Sequence, residues 1–272
     1  MADITRAAAA TSSLDDMTFL WPILSETLQF ISKSPWLVVI HSIHTAYSLR
    51  KAYPSLTAAP LLKSWLSHIF VSLGGGMTAA ILTGRPNPAL MNDLTIPIYT
   101  IGYILVFHFP YLYTLLRTLA PITEPILTLV DALSRAIAMT TGLDTFRNHP
   151  HPTYAALART AYIGQAMLGT VSVTAGGIIY NWVNGVKPFE YPGWNFTVVM
   201  FASLVYVLGS HEGATRIVKG QLRPFWLSAK AVGVPEVFDL WDWKLLVAFV
   251  IVVGFAMGPL PKRRDGTVVQ GK

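Results

Sequence analysis

Apolar runs free of Asp, Glu, Lys and Arg recur along the chain at lengths that match a lipid bilayer better than a soluble core. A spanning helix needs about 20 mostly apolar residues, and seven segments approach that length: 34–49, 64–84, 96–116, 121–143, 160–186, 191–211 and 245–261. Lys33 and Arg50 bracket the first, Lys63 precedes the second, and Lys262, Arg263 and Arg264 close the last. The fourth differs from the others because Asp131 and Arg135 lie inside it. The first and last are short and borrow a turn from their flanks, where Trp241 and Trp243 suit the interfacial aromatic belt.

The pattern predicts an all-α integral membrane protein with seven transmembrane helices. Residues 1–28 read as a disordered or interfacial amino-terminal tail, without the basic start, apolar run and small-residue cleavage site of a signal peptide. Residues 213–240 form a charge-dense extramembrane loop, 241–261 the seventh helix and 262–272 a basic tail.

Composition agrees with the pattern. Charged side chains make up 12% and hydrophobic ones 53% of the 272 residues, and the mean hydropathy is +0.48; an ordinary soluble domain carries about 25% charged residues. The absence of cysteine excludes disulfides, thiolate metal sites and cysteine nucleophiles. In so apolar a chain the net charge of +6 reports topology or contact with anionic lipid, and no aromatic-studded basic patch points to nucleic acid. No nucleophile elbow, phosphate loop or carboxylate pair at catalytic spacing is present, so no enzyme is predicted.

An internal repeat lies in the glycines. Gly75 and Gly76 are followed by Gly84, Arg85 and Pro86, while Gly176 and Gly177 are followed by Gly185, Lys187 and Pro188, at an offset of 101 residues. The same offset lays the third segment on the sixth. The predicted order is a first three-helix unit over 29–118, a second over 119–212, and one extra helix. Because each unit has an odd number of helices, the second enters the membrane from the opposite face and the repeat is inverted. Two readings of the double glycines follow. They permit close packing of helices, or they break the second and fifth helices at mid-bilayer, where freed carbonyls would line a watery path.

Asp131 and Arg135 are four residues apart and share a helix face. A charge at the bilayer centre costs at least about 2.5 to 3.5 kcal/mol on insertion scales. The pair is therefore either self-neutralising and structural, or a pore-lining or headgroup-binding pair. His41 and His44 are three residues apart, but no carboxylate on their own segment completes a metal site, and none is predicted. Residues 148–152 form a proline-stiffened turn, and the aromatics at 99, 103, 111, 113, 182 and 194 read as core or interface residues. With seven spans, Lys and Arg divide ten to nine between the two faces. The acids divide ten to three, leaving net charges of zero and +6, but acids contribute little to orientation; a cytosolic carboxyl terminus is the expected arrangement.

These residues carry a resemblance to a known family. The stretch Lys63, Ser64, Trp65, Leu66, Ser67, His68 leading to Gly74, Gly75 and Gly76 and ending Gly84, Arg85, Pro86 resembles the second helix of trimeric intracellular cation (TRIC) channels. The fourth helix, ending Gly142, Leu143, and the Gly185 to Pro188 ending of the fifth are also similar, and the likeness runs from about Trp36 to Leu260. The resemblance implies a homotrimer with one potassium-permeable pore per subunit. In eukaryotic members the site is the endoplasmic or sarcoplasmic reticulum, where potassium flow balances the charge moved by calcium. Where the animal family places a Lys and an Arg on a phosphoinositide headgroup, this chain has Asp131 and, beyond Ala132, Arg135 alone; no cofactor is predicted. The family's Lys-Gly-x-Gly becomes Leu168, Gly169, Thr170, Val171. Gly74, Gly75, Gly76, Gly169, Gly176 and Gly177 are the expected pore or hinge residues, with Asp131 and Arg135 modulating ion passage or meeting lipid. A secondary transporter with inverted repeats and a non-conducting membrane adaptor are the alternative readings.

Overall fold

Proline opens many of the helices, because the first turn of a helix has no use for its missing N–H and its φ is already helical. The computed structural model describes residues 23–183, 194–210 and 240–257. In chain order its helices are α1 (23–32), α2 (Pro35–Ala52), α3 (Leu61–Leu82), α4 (Pro88–Met91), α5 (Thr95–Phe107) and α6 (Pro110–Thr118). They continue with α7 (Ala120–Arg147), α8 (Pro152–Thr160), α9 (Tyr162–Val183), α10 (Trp194–Ser210) and α11 (Leu240–Met257). A 3-10 turn, Pro54–Thr57, joins α2 to α3. Prolines occupy the first position of α2, α4, α6 and α8. Residues 1–22 of the tail, the loop residues 213–239, the Gly185 to Pro188 motif and the basic tail 262–272 lie outside the described residues.

Each predicted apolar segment is helical over most of its described length. Three helices, Leu61–Leu82, Ala120–Arg147 and Tyr162–Val183, are long and apolar enough to cross a membrane, and α5 with α6 makes a fourth if the bent pair is one span. Trp194–Ser210 and Trp243–Met257 are shorter apolar helices. The chain is a multi-pass, helical membrane protein. The third segment departs from the straight span expected over 96–116: α5 and α6 meet at 77°. Pro110 is the cause, since it cannot continue the hydrogen-bond ladder and forces the residue before it out of the helical region; Phe109 is extended, at φ −104° and ψ 92°. Residues 148–151 do form the predicted turn, but Pro152 belongs to the helix that follows it.

Two apolar cores hold the bundle. One joins Leu28 of α1 to Ala132, Ala136, Met139 and Leu143 of α7, Ala166 of α9, Val199 and Ala202 of α10, and Val247 and Ile251 of α11. The other gathers Ala46, Tyr47 and Leu49 of α2, Tyr103 and Val106 of α5, Leu127 of α7 and Tyr180 of α9. Alanines at 132, 136, 166, 202 and 248 let helices of the first core approach closely. α7 and α9 contribute to both cores and so join the halves of the chain.

The joining helices run in opposite senses. Along α2 and α7, His41 faces Asp131 while Lys51, ten residues on, pairs with Glu124 nearer the start of α7. Along α3 and α9, Gly75 meets Ser172 while Phe70 and Val71 meet Gly176. Tyr53, ahead of α3, bonds Asn181 near the end of α9, and Arg85, beyond α3, bonds the Thr145 carbonyl at the far end of α7.

Candidate functional site

α7 sets the two intramembrane charges one turn apart, and the turn's geometry lets them meet. Arg135 Nε donates to Asp131 Oδ2 at 2.8 Å. The side chain of Asp131 is 8% exposed and that of Arg135 26%, so both are withdrawn from solvent and each needs further partners. Arg135 Nη1 donates to the Val173 carbonyl of α9 at 2.9 Å, and its guanidinium lies 5.7 Å from the Phe255 ring centroid of α11.

Asp131 turns the other way, toward α2. His41 Nε2 lies 3.3 Å from Oδ1 and His44 Nε2 3.9 Å from Oδ2. Their spacing of three residues brings both imidazoles to one face. The carboxylate absent from the histidines' own segment thus comes from α7. Even so, no group of three or more His, Asp or Glu among the described residues is arranged to hold a metal ion.

Tyr99 of α5 completes the cluster, with its hydroxyl 2.8 Å from His41 Nδ1. It is buried, as expected, but it is part of a polar chain and not only of the core. Fully buried His68 of α3 has Nε2 3.1 Å from the Tyr99 carbonyl; because a carbonyl only accepts, that nitrogen carries the proton. Ser72 of α3 donates to Thr45 Oγ1 of α2 at 2.9 Å, which fastens these two helices together.

The glycines take three different positions. A Cβ built on Gly74 would lie 2.9 Å from Gly176 Cα, one on Gly176 2.8 Å from Val71 O, and one on Gly75 would collide with Ser172 O. These three form a backbone-to-backbone crossing of α3 and α9. Gly169 sits elsewhere, packed on Leu143 and Met139 of α7 and on Ser203 of α10. Among the described residues, a Cβ on Gly76 would have only Pro88 at 4.0 Å, and one on Gly177 nothing within 4 Å. The expected break at mid-bilayer does not form: α3 and α9 run unbroken through their glycine pairs. Glycine in a helix costs about 1 kcal/mol relative to alanine, less than freeing backbone groups in lipid, where each unsatisfied one costs several kcal/mol. Of the two readings, the glycines here serve close packing.

Crossing and charge cluster are contiguous. Val173, whose carbonyl accepts from Arg135, follows directly on Ser172, against which Gly75 rests.

No protein-family model matches the sequence, and neither does any curated protein. Solved structures do match. A trimeric intracellular cation channel from C. elegans with bound Ca2+ superposes at a TM-score of 0.64 and 17% identity, over 88% of this chain and 96% of that one. The C. elegans channel in the absence of Ca2+ gives 0.60 and 20%, over 86% and 95%. A TRIC counter-ion channel described for its activity in calcium release gives 0.58 and 18%, over 85% and 99%. The chain has the TRIC channel fold. In this TRIC fold the ionisable cluster lies where α2, α5 and α7 meet.

A second polar knot was not foreseen. Asp144 accepts from Tyr206 Oη at 2.6 Å and from Lys244 Nζ at 3.0 Å, with Arg147 Nη1 at 3.9 Å. Arg147 also donates to Gln165 and to Ser210, so α7, α9, α10 and α11 are tied at one end. Its sequence signal was the spacing of Asp144 and Arg147 just beyond the fourth segment and a lone lysine beside the last one.

Proposed function

We propose that the chain is a potassium-permeable, monovalent cation channel of an intracellular membrane, with one pore in each subunit of a homotrimer, supplying counter-ion current while calcium is released and taken up. The observation that carries this reading is the joining of a buried ionisable cluster, Asp131 with Arg135, to the α3–α9 crossing through Val173 and Ser172. Ionisable groups kept inside a membrane bundle mark ion pathways. Gly74, Gly75 and Gly176 set how closely the two central helices approach beside that pathway.

The reading includes seven spans, as two inverted three-helix units over 29–118 and 119–212 and a last helix over 241–261, with a cytosolic carboxyl terminus. Its support is reciprocity. Gly75 meets Ser172 as Gly176 meets Val71, and both members of each equivalent pair are 101 residues apart, as a two-fold relation between the units requires. Arg135 has its guanidinium engaged by Asp131, Val173 and Phe255, so a phosphoinositide headgroup forms no part of the reading. The unbroken α3 and α9 weigh against a secondary transporter, whose sites are typically built on discontinuous helices.

The test is the purified chain in planar bilayers and liposomes. Discrete unitary currents, with potassium flux exceeding chloride flux and a mass of three subunits, are expected. Saturable uptake without unitary steps would sink the channel reading in favour of a transporter.

A further inference from the structure

We propose that His41, His44 and Asp131 form a proton-binding site within the membrane, and that its occupancy sets the cation flux. The flux half of this inference rests on the channel reading above; the proton site stands on geometry alone. Two imidazoles from α2 are turned onto one carboxylate, at 3.3 and 3.9 Å. With both histidines neutral the cluster carries no net charge, since Asp131 balances Arg135.

His41 is built to accept the proton. In its neutral form Nδ1 accepts from the Tyr99 hydroxyl 2.8 Å away, and Nε2 lies 3.3 Å from Asp131 Oδ1, a buried oxygen that accepts no hydrogen bond from another group. When Nδ1 is protonated, the Tyr99 hydroxyl need only rotate to become the acceptor, because a phenol both donates and accepts. Each nitrogen of the imidazolium then has an oxygen beside it, Tyr99 Oη at 2.8 Å and Asp131 Oδ1 at 3.3 Å. His44 lacks this provision: its buried Nδ1 has no hydrogen-bond partner. Two imidazolium ions beside Arg135 would also repel each other, so one carboxylate supports one added proton.

Among the described residues, nothing around the cluster cancels the new charge. The titratable or charged groups facing the cluster are His41 and His44 from α2, Asp131 and Arg135 from α7, Tyr99 from α5 and His68 from α3. Glu124, the other acid along α7, is held by Lys51 and Tyr47. α9 presents the Val173 carbonyl and α11 the Phe255 ring. Binding one proton takes the cluster from neutral to singly positive beside the α3–α9 crossing, where a positive field lowers the local cation concentration. Protonation of the cluster therefore reduces flux.

The experiment has two readouts on the full chain. In nanodiscs, histidine-labelled NMR is followed from about pH 8 to about pH 5, with the His41 signal identified by its loss in His41→Gln. That signal is expected to pass to the imidazolium form, and to do so at least about one pH unit lower in Asp131→Asn. If Asp131→Asn does not fold, Tyr99→Phe, which removes the second acceptor, is expected to lower the transition likewise. A His41 that stays neutral throughout, or a transition unmoved by either substitution, overturns the proton site. In liposomes, wild-type potassium flux is expected to fall about tenfold over the same range, with its midpoint at the NMR transition. A change below about twofold, or a midpoint elsewhere, overturns the control of flux. An NMR transition as expected with no potassium flux at any pH overturns the channel reading alone and leaves the proton site in place.

Discussion

Gly176 rests directly on the main-chain oxygen of Val71: a Cβ on the glycine would lie 2.8 Å from it. No side chain separates α9 from α3 at this point, so any added atom must part the backbones. Gly176→Ala and Gly75→Ala are each expected to destabilise the bundle by about 1–3 kcal/mol, the usual cost of overpacking. Gly177→Ala, with open space around it, is expected to be neutral or to stabilise by up to about 1 kcal/mol through helix propensity. Thermal unfolding of the three variants in detergent checks the order; equal behaviour of Gly176 and Gly177 would contradict it.

Arg135 and Asp131 should couple strongly. Removing one member of a buried pair leaves a charge uncompensated, at about 3–5 kcal/mol. Arg135→Gln or Asp131→Asn alone is therefore expected to reduce folded yield and melting temperature, while the double variant recovers much of the loss. Additive single effects in this cycle would mean that the two groups act independently.

Gly102 of α5 faces Ser42 of α2 so closely that a Cβ on it would overlap the serine side chain. Gly102→Ala is expected to cost about 1–3 kcal/mol, and adding Ser42→Gly to return part of it by making room. Chemical or thermal unfolding of the single and double variants measures the rescue.

Asp144 anchors Tyr206, Lys244 and Arg147 together. Asp144→Asn is expected to cost about 3–5 kcal/mol by leaving two cations facing a neutral group, whereas Tyr206→Phe forfeits one hydrogen bond, about 0.5–1.5 kcal/mol or somewhat more because its acceptor is charged. Melting temperatures that rank Tyr206→Phe as the more damaging would refute this account of the knot.

The features legible in the sequence were those encoded locally. The apolar segments, the four-residue spacing of Asp131 and Arg135, and the glycine pairs at an offset of 101 residues all depend on near neighbours or self-similarity. The meeting of His41 with Asp131 depends instead on how α2 docks on α7, which no periodicity encodes; two histidines on one apolar face hinted only that a partner was needed. The break was sought at glycine but occurs at Pro110. Glycine merely lowers the cost of bending, whereas proline removes a hydrogen-bond donor and restricts the residue before it. Asp144, Arg147 and Lys244 passed as ordinary end-of-span charges because their common acceptor appears only when four helices converge.

The backbone contact between α3 and α9 also constrains how the molecule can move. Side-chain interfaces slide by repacking rotamers, but here main chain meets main chain over Gly74, Gly75 and Gly176, and there is nothing to repack. Sliding either helix along its axis would carry a residue with a side chain into the place of a glycine. Rotation about the crossing keeps the contact intact. The glycines that seemed suited to be a hinge within each helix act instead as a fulcrum between two rigid levers, one from each half of the chain.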